Sequence, residues 1–240
     1  VNPGTLAQSA TLAYTNDDLF GSRLDLTAYY AENDVVFSKF PGFPQTRINS
    51  EKIGSRLTVE TPVEIGSLPF EVIWGLDYLK DETIQSSTDA PDTSPELDQD
   101  AIAGFVQRDV PVGAWGNVTG AFRYEDISID VSDFTRADGT FVPGGTLSYG
   151  EPLFNLTGTV FLTDTLDLYG GFSQGFTVAD IGRSISDGTF ATSKEAESEA
   201  QKTDNFELGL RAGFEAWEAS VIGFYSKSDN GVSFDRDLNI

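Results

Sequence analysis

The chain has 240 residues, and its 38 acidic and 15 basic side chains give a net charge of −23 at pH 7. That balance argues against nucleic-acid binding, because neutralising phosphates requires clustered lysine and arginine. The sequence contains neither cysteine nor histidine, so it offers no disulfide framework and lacks the most common general base and metal ligand. No stretch approaches the roughly 20 apolar residues of a transmembrane helix, which excludes a helical membrane protein.

Apolar and polar side chains alternate along most of the chain. In residues 70–78, for example, Trp74 and Leu76 occupy even positions, whereas Glu71 and Asp77 occupy odd positions. A period of two is typical of a β-strand with one apolar face. In chain order the pattern predicts about ten strands of roughly ten residues, the length that crosses a bilayer, near 5–15, 23–30, 56–60, 70–78, 101–110, 118–125, 154–162, 166–176, 206–214 and 217–225.

The links between these strands alternate in length. Short links are predicted at 16–21, 64–69, 111–117, 163–165 and 215–216, and long links at 38–50, 86–100, 130–150 and 183–204. Tight turns on one rim and large loops on the other are typical of an up-and-down barrel in an outer membrane. The predicted fold class is therefore all-β, an antiparallel up-and-down transmembrane β-barrel segment of about ten strands, which is a partial barrel.

The two faces of the predicted strands differ in chemistry. Aromatic residues near the strand ends are expected to form girdles at the two membrane interfaces: Tyr14, Tyr30, Phe70, Tyr78, Tyr124, Phe206, Phe214, Trp217 and Tyr225. Charged residues are expected to point inward: Arg23, Asp25, Arg56, Glu60, Asp77, Arg108, Arg123, Glu125, Glu207 and Arg211. A hydrated lumen tolerates so many ions, whereas the dry core of a soluble sandwich does not.

Three runs near the C-terminal end carry a family resemblance. They are Leu-Tyr-Gly-Gly-Phe-Ser-Gln-Gly-Phe at 168–176, Thr-Asp-Asn-Phe-Glu-Leu-Gly-Leu-Arg-Ala-Gly-Phe at 203–214, and the strand with Gly-Phe-Tyr at 217–230. In order and spacing they resemble the barrel strands of TonB-dependent siderophore receptors. Gly-Leu-Asp-Tyr at 75–78 and Phe-Pro-Gly-Phe-Pro at 40–44 are similar to the same family, more weakly.

The resemblance implies a domain organisation. Family members carry a globular plug domain before a barrel of 22 strands, and nothing in this sequence matches the plug. Residues 1–240 are therefore expected to be a barrel segment that lacks the plug domain and the C-terminal strands. The location that the resemblance implies is the cell outer membrane.

Candidate ligand contacts lie in the first long link. Phe37, Phe40 and Phe43 occupy it, and Arg47 is close by. The resemblance implies that such loops help to form the ligand pocket, often through aromatic and arginine contacts. The alternative is that the phenylalanines pack the loop against itself.

The acidic loops and the carboxylate pairs suggest no further site. Residues 86–100 and 183–204 are rich in Asp and Glu, which are Ca²⁺ ligands, but their spacing does not match a calcium loop. Solvated acidic loops are the preferred interpretation, with no resident metal and no cofactor. A Ser-His-Asp triad is impossible without histidine. A carboxylate pair as in glycosidases is the remaining enzymatic alternative, but any acidic chain contains such pairs by chance, so the protein is expected not to be an enzyme.

The functional hypothesis is uptake of a ferric siderophore. The resemblance implies that the siderophore supplies the iron ligands and that a TonB-type coupling protein supplies energy through the plug. Outer-membrane lipid would surround the barrel. Two alternatives stay open, namely a passive porin-type channel with a loop folded into its lumen, and a soluble β-rich binding domain.

Overall fold

The computed structural model describes residues 3–39, 41, 44–65, 68–87, 94–136, 138–178, 181–182, 185, 191–196 and 200–229. Its strands are β1 (Gly4–Leu19), β2 (Ser22–Val36), β3 (Thr46–Ile65), β4 (Leu68–Ser87), β5 (Leu97–Pro111), β6 (Gly116–Val131), β7 (Phe134–Thr135), β8 (Phe141–Val142), β9 (Gly145–Thr163), β10 (Leu166–Thr177), β11 (Gln201–Phe214) and β12 (Trp217–Asp229). One 3₁₀ turn covers Ser193–Ala196. Within these described ranges, no helix has the length and apolar character that a membrane span needs.

Ten of the strands form one antiparallel sheet in the order β1-β2-β3-β4-β5-β6-β9-β10-β11-β12. Each strand therefore pairs with the next long strand along the chain, and the predicted up-and-down order is confirmed. Over the described residues the sheet is open, with β1 and β12 at its two edges. The hairpin of β7 and β8 is separate from this sheet.

The strands are longer than the sequence pattern predicts. The ten strands of the sheet contain 12 to 20 residues rather than roughly ten. A strand of 20 residues, such as β3 or β4, extends about 66 Å at a rise of about 3.3 Å per residue. Even when it is tilted by about 45°, it exceeds the roughly 30 Å of a hydrocarbon core. The longest strands, β3 and β4, thus extend further than a hydrocarbon core is thick, into a region where the apolar alternation is not expected.

The predicted alternation of link lengths is also observed. Residues 20–21, 112–115, 164–165 and 215–216 form tight turns on one rim, which we call the turn rim. The links that follow β2, β4, β6 and β10 leave from the opposite rim, which we call the loop rim. The short link predicted at 64–69 includes residues 66–67, which lie outside the described residues. The link predicted at 130–150 contains the β7–β8 hairpin, which periodicity did not predict because each of its strands has two residues.

Register assigns every strand residue to one of two faces, because directly paired residues of neighbouring strands point to the same side. Val59, Trp74, Val106, Phe122 and Phe154 form one such row, and we call their side the outer face. The opposite side, which carries most of the strand charges between the two rims, is the inner face. Nine of the ten residues predicted to point inward lie on it: Arg23, Asp25, Arg56, Glu60, Asp77, Arg123, Glu125, Glu207 and Arg211.

The prediction for Arg108 was wrong. This residue pairs directly with Val72 on β4 and with Gly120 on β6, and both belong to the outer face. Phe105, three residues earlier, points inward instead, opposite Gly75. The polarity of a single side chain therefore does not predict which face it occupies on β5. The face is set by the pairing of the whole strand with its neighbours.

Aromatic residues mark the loop-rim limit of the outer face. Tyr30, Tyr78, Tyr124, Phe206 and Tyr225 all lie on this face, and we call them the upper aromatic row. Two residues further towards the loop rim, the same strands carry only polar or charged side chains: Glu32, Lys80, Asp126, Asp204 and Lys227. This change from aromatic to ionised is the profile of a membrane–water interface.

Candidate functional site

An ionic network lies at the centre of the inner face. Arg56 on β3 donates to Asp77 on β4 through Nε at 2.7 Å and through Nη2 at 3.2 Å. Arg123 on β6 donates to the same carboxylate through Nη1 at 2.6 Å and to Glu125 through Nε at 2.6 Å. The side chain of Asp77 is only 15% exposed, whereas that of Arg56 is 66% exposed. Asp77 is therefore the nearly buried anion that holds two cations together.

A small side chain makes this network possible. Register places Ala103 on β5 directly between Asp77 and Glu125. Because alanine does not fill the inner face there, Arg123 reaches across β5 to the carboxylate on β4. Sequence alternation predicted that these charges point inward, but not that they pair with one another. The one local signal is the Arg-Tyr-Glu run at 123–125, which puts a cation and an anion on the same face.

The network forms part of the wall of an open cleft on the inner face. The cleft has a volume of about 590 Å³, and its wall combines the charged side chains of Arg56, Asp77, Arg123 and Glu125 with aromatic and aliphatic ones such as Tyr29. Charges of both signs meet there, and ionised side chains are stable beside water rather than beside an apolar solute. Such a wall suits the passage of a polar solute better than the storage of an apolar one.

Three aromatic rings lie against glycines on the inner face. Tyr29 pairs with Gly54, Phe105 with Gly75, and Tyr169 with Gly209. A Cβ at position 54 would lie 2.3 Å from Cζ of Tyr29, and one at position 209 would lie 2.5 Å from Cζ of Tyr169. The rings therefore occupy the space that a side chain would need, and they shield the bare glycine backbone. This arrangement keeps bulky rings against the wall and leaves the cleft open.

An apolar cluster covers the inner face near the loop rim. Ile129 and Val131 of β6 and Leu147 and Tyr149 of β9 are buried there against side chains from two loops, namely Phe134, Val142, Ile181 and Ile185. Arg136 Nε donates to the Ile185 carbonyl at 3.2 Å, and the Ser193 amide donates to the Pro143 carbonyl at 3.1 Å. The hairpin region and the described residues Ile181, Ile185 and Ser193 are thus joined by these contacts over β6 and β9.

The predicted ligand residues lie at the loop rim where they are described. Phe37 follows β2, is half exposed, and its amide donates to the Thr46 carbonyl at 2.8 Å. Arg47 lies in β3 on the outer face, where Nε and Nη2 donate to Asp34 at 2.7 and 2.6 Å. Phe40 and Phe43 lie outside the described residues. Ligand contact by this loop stays a prediction.

The Arg47–Asp34 pair has a defined pH dependence. Hydrogen bonds from Arg47 hold the pKa of the Asp34 carboxyl below its usual value. A lowered carboxyl pKa contributes stability above the usual aspartate value of about 3.9, and this contribution is lost as the pH falls through the folded pKa. The ionised pair therefore persists to a lower pH than an isolated aspartate would.

We expect Arg47→Gln to move acid-induced opening of this loop base to higher pH. Without Arg47, the pKa of the Asp34 carboxyl is no longer held below its usual value, so Asp34 takes up a proton at a higher pH. Hydrogen exchange of the peptide that contains the Phe37 amide, corrected for intrinsic rates and recorded from about pH 5 down to about pH 3, measures the shift. Arg211→Gln, on a distant strand, is the control. Equal exchange profiles for Arg47→Gln and the unmodified protein would contradict the expectation.

The described residues do not form a metal site. They contain no group of three or more carboxylates placed to hold a metal ion. Much of the two acidic loops, including Asp89, Asp92 and Asp187, lies outside those ranges. The acidic side chains that are described mostly pair with cations or hydroxyls along the strands, as Asp81 does with Lys52 at 2.7 Å.

Comparison with known proteins assigns the family. The sequence matches the family model described as TonB dependent receptor-like, β-barrel, over residues 2–240. This chain belongs to the TonB-dependent receptor β-barrel family. The resemblance seen in the C-terminal strands is thereby confirmed. Members of this family are transport receptors of the outer membrane, and the predicted location of the chain in that membrane is confirmed.

Two curated relatives match almost all of this receptor chain. The rhizobactin receptor of Rhizobium meliloti (strain 1021) is 24% identical, and the match covers 98% of this chain and 38% of the relative. The ferric aerobactin receptor of Klebsiella pneumoniae is 23% identical over 99% of this chain and 39% of the relative. The chain therefore spans about two fifths of the length of the curated relatives that it matches.

A solved structure confirms the barrel-wall fold. The ferric citrate transporter in its unliganded form superimposes with a TM-score of 0.70 at 19% identity, covering 93% of this chain and 34% of the transporter. At that identity the likeness establishes the fold alone.

Proposed function

We propose that this TonB-dependent receptor captures a ferric siderophore outside the cell and passes it through the barrel lumen. The observation that carries the proposal is the match to a rhizobactin receptor and a ferric aerobactin receptor over 98% and 99% of the chain. The mixed-charge cleft around Asp77 supports it, because a polar chelate needs a hydrated wall. The siderophore supplies the iron ligands, so the chain needs neither histidine nor cysteine for the metal.

In this proposal, energy comes from a TonB-type coupling protein of the inner membrane, which acts on a plug domain in the lumen. The present chain provides part of the barrel wall. Among the described strands, β1 and β12 each have one edge without a partner strand. Unpaired backbone groups are costly in lipid, so in the intact barrel these edges pair with further strands. The chain has no catalytic role in this uptake.

One observation favours a second candidate, a passive channel. The β7–β8 hairpin folds against the inner face through Phe134 and Val142, as a constricting loop of a porin would. Family membership favours the energised receptor. The two candidates differ in what drives transport, and this difference can be measured.

The decisive experiment uses the full-length receptor. Purified protein is titrated with ferric aerobactin and ferric rhizobactin, and cells that express it are tested for uptake of radioactive iron with and without the TonB-type coupling protein. The energised receptor binds a chelate in both strains and transports it only when the coupling protein is present. Uptake that continues without the coupling protein would support the channel. No binding of either chelate would refute a ferric siderophore of these two types as the ligand.

The first long loop provides the ligand-contact test. We propose that Phe37, Phe40 and Phe43 contact the chelate and that Arg47, fixed by Asp34, orients the loop beside them. Phe37→Ala is expected to weaken chelate binding by about three- to tenfold, the effect of one lost aromatic contact. Phe141→Ala is the matched control, because Phe141 is an exposed phenylalanine on a different loop. Equal affinities of Phe37→Ala and Phe141→Ala would remove this loop from the site.

A further inference from the structure

Arg108 occupies a position unlike that of any other ion in the described strands. Ladder pairing sets it between Val72 and Gly120 on the outer face. Among the described residues that ladder pairs assign to this face, Arg108 is the only ionised side chain from the turn rim to the upper aromatic row. In an outer-membrane barrel this face is covered by lipid, so Arg108 is a single cation on the lipid-facing surface.

The side chain of Arg108 is directed towards the turn rim. Its guanidinium carbon lies 3.7 Å from the centre of the Phe70 ring. Phe70 is nearer than Val72 to Leu68, the first residue of β4, which lies at the turn rim. Arg108 is three residues from Pro111, the last residue of β5, which corresponds to about 10 Å along the strand. An extended arginine covers most of that distance. The guanidinium therefore lies near the lipid headgroups of the leaflet on the turn side.

The guanidinium keeps its hydrogen-bonding edge available. Arg108 forms no ion pair with a carboxylate among the described residues. The Phe70 ring covers one flat side of the guanidinium through a cation–π contact. Arg108 is exposed, and a Cβ at Gly120, directly beside it, would meet no atom within 4 Å, so the space over this glycine is open.

We propose that Arg108, oriented by Phe70, binds the phosphate group of a membrane glycerophospholipid in the leaflet on the turn side. The planar guanidinium presents N–H groups in a geometry that matches phosphate oxygens. The cost of a cation on a barrel's lipid face falls steeply towards the interface, and Arg108 lies where its side chain extends to that interface. Valines and aromatic residues around it, including Val110 and Trp74, provide surface for the acyl chains.

Native mass spectrometry of the full-length receptor tests this proposal. The receptor is released from detergent micelles after incubation with phosphatidylglycerol, and the fraction that carries bound lipid is measured. Arg108→Gln is expected to lower the apparent affinity of the receptor for phosphatidylglycerol by about fivefold. This is the effect of one basic residue near an anionic lipid surface. Arg108→Lys is expected to be intermediate, because it keeps the charge but loses the planar fork.

Lys80→Gln is the matched control. It removes a cation from the same face beyond the upper aromatic row, where Lys80 already pairs with Asp98 at 3.0 Å. Unchanged lipid binding in Arg108→Gln, or an equal loss in Lys80→Gln, would overturn the proposal. Displacement of the lipid by millimolar inorganic phosphate would overturn it as well, since it would identify a free-anion site. If Arg108→Gln does not fold, as judged by heat-modifiable gel mobility, the comparison of Arg108→Lys with the unmodified receptor decides.

Discussion

Replacing Gly75 with alanine is expected to destabilise the receptor by about 3 kcal/mol or to prevent its folding. Gly75 lies at the centre of β4 on the inner face. A Cβ there would lie 2.1 Å from the Leu57 carbonyl oxygen and 2.7 Å from the Phe105 ring. The ring can rotate away, but the carbonyl belongs to the β3–β4 ladder, so the two strands would have to separate. Loss of the heat-modifiable gel band and a lower urea midpoint in lipid vesicles are the measurements.

Gly104→Ala is the matched control for this prediction. Gly104 is also a strand glycine, on the neighbouring β5, but its added methyl would meet only a Leu76 side-chain atom at 3.5 Å. That distance is ordinary van der Waals contact, so Gly104→Ala should fold with an unchanged urea midpoint. Gly54→Ala should fall between the two, because only the end of the Tyr29 side chain must move. Equal stability of Gly75→Ala and Gly104→Ala would contradict the close approach seen at Gly75.

Asp77→Asn is expected to lower the free energy of unfolding by about 2–4 kcal/mol. The carboxylate accepts three hydrogen bonds from Arg56 and Arg123, and it is the anion that separates these two cations. An amide cannot balance both guanidinium groups, which would then repel each other across a nearly buried position. Urea unfolding of the full-length receptor in lipid vesicles measures the loss.

The control for Asp77→Asn is Asp167→Asn. Asp167 also lies on the inner face and pairs with an arginine, Arg211 at 2.8 Å, but it has a single partner whose side chain is half exposed. Solvent screens such a pair, so its loss should change the stability much less than the loss of Asp77. A combined Asp77→Asn, Arg123→Gln variant should recover part of the stability, because it removes one of the two unbalanced cations. Equal effects of Asp77→Asn and Asp167→Asn would show that the network adds nothing beyond isolated pairs.

The position of Arg108 illustrates where prediction from the sequence failed. A charged residue in an alternating strand was expected to point inward, and on β5 this expectation placed Arg108 on the wrong face. Phe105 departs from the rule in the opposite sense, because Gly75 leaves room for its ring on the inner face. The facing of a strand is set by all of its ladder pairs together, so one or two residues of atypical polarity follow the majority.

The loop-rim cluster could not be predicted for a different reason. Phe134 and Val142 lie within a long link whose composition is typical of a loop, and Ile181 and Ile185 come from another link about 40 residues later. Their burial depends on contacts between segments distant in sequence, which leave no local periodicity. The pairing of Arg123 with Asp77 has the same origin, since the two residues are 46 positions apart.

The sheet could be predicted from the amino-acid sequence, because alternation with a period of two and the rhythm of short and long links are local properties of the chain. Ten antiparallel strands, their up-and-down order, the girdle of aromatic residues and the inward position of nine charges were all predicted from it. Three features became known only from the fold: which charges meet around Asp77, which glycines lie beneath aromatic rings, and which face Arg108 occupies. These features depend on register and on contacts across the sheet, where a shift of one residue exchanges the two faces.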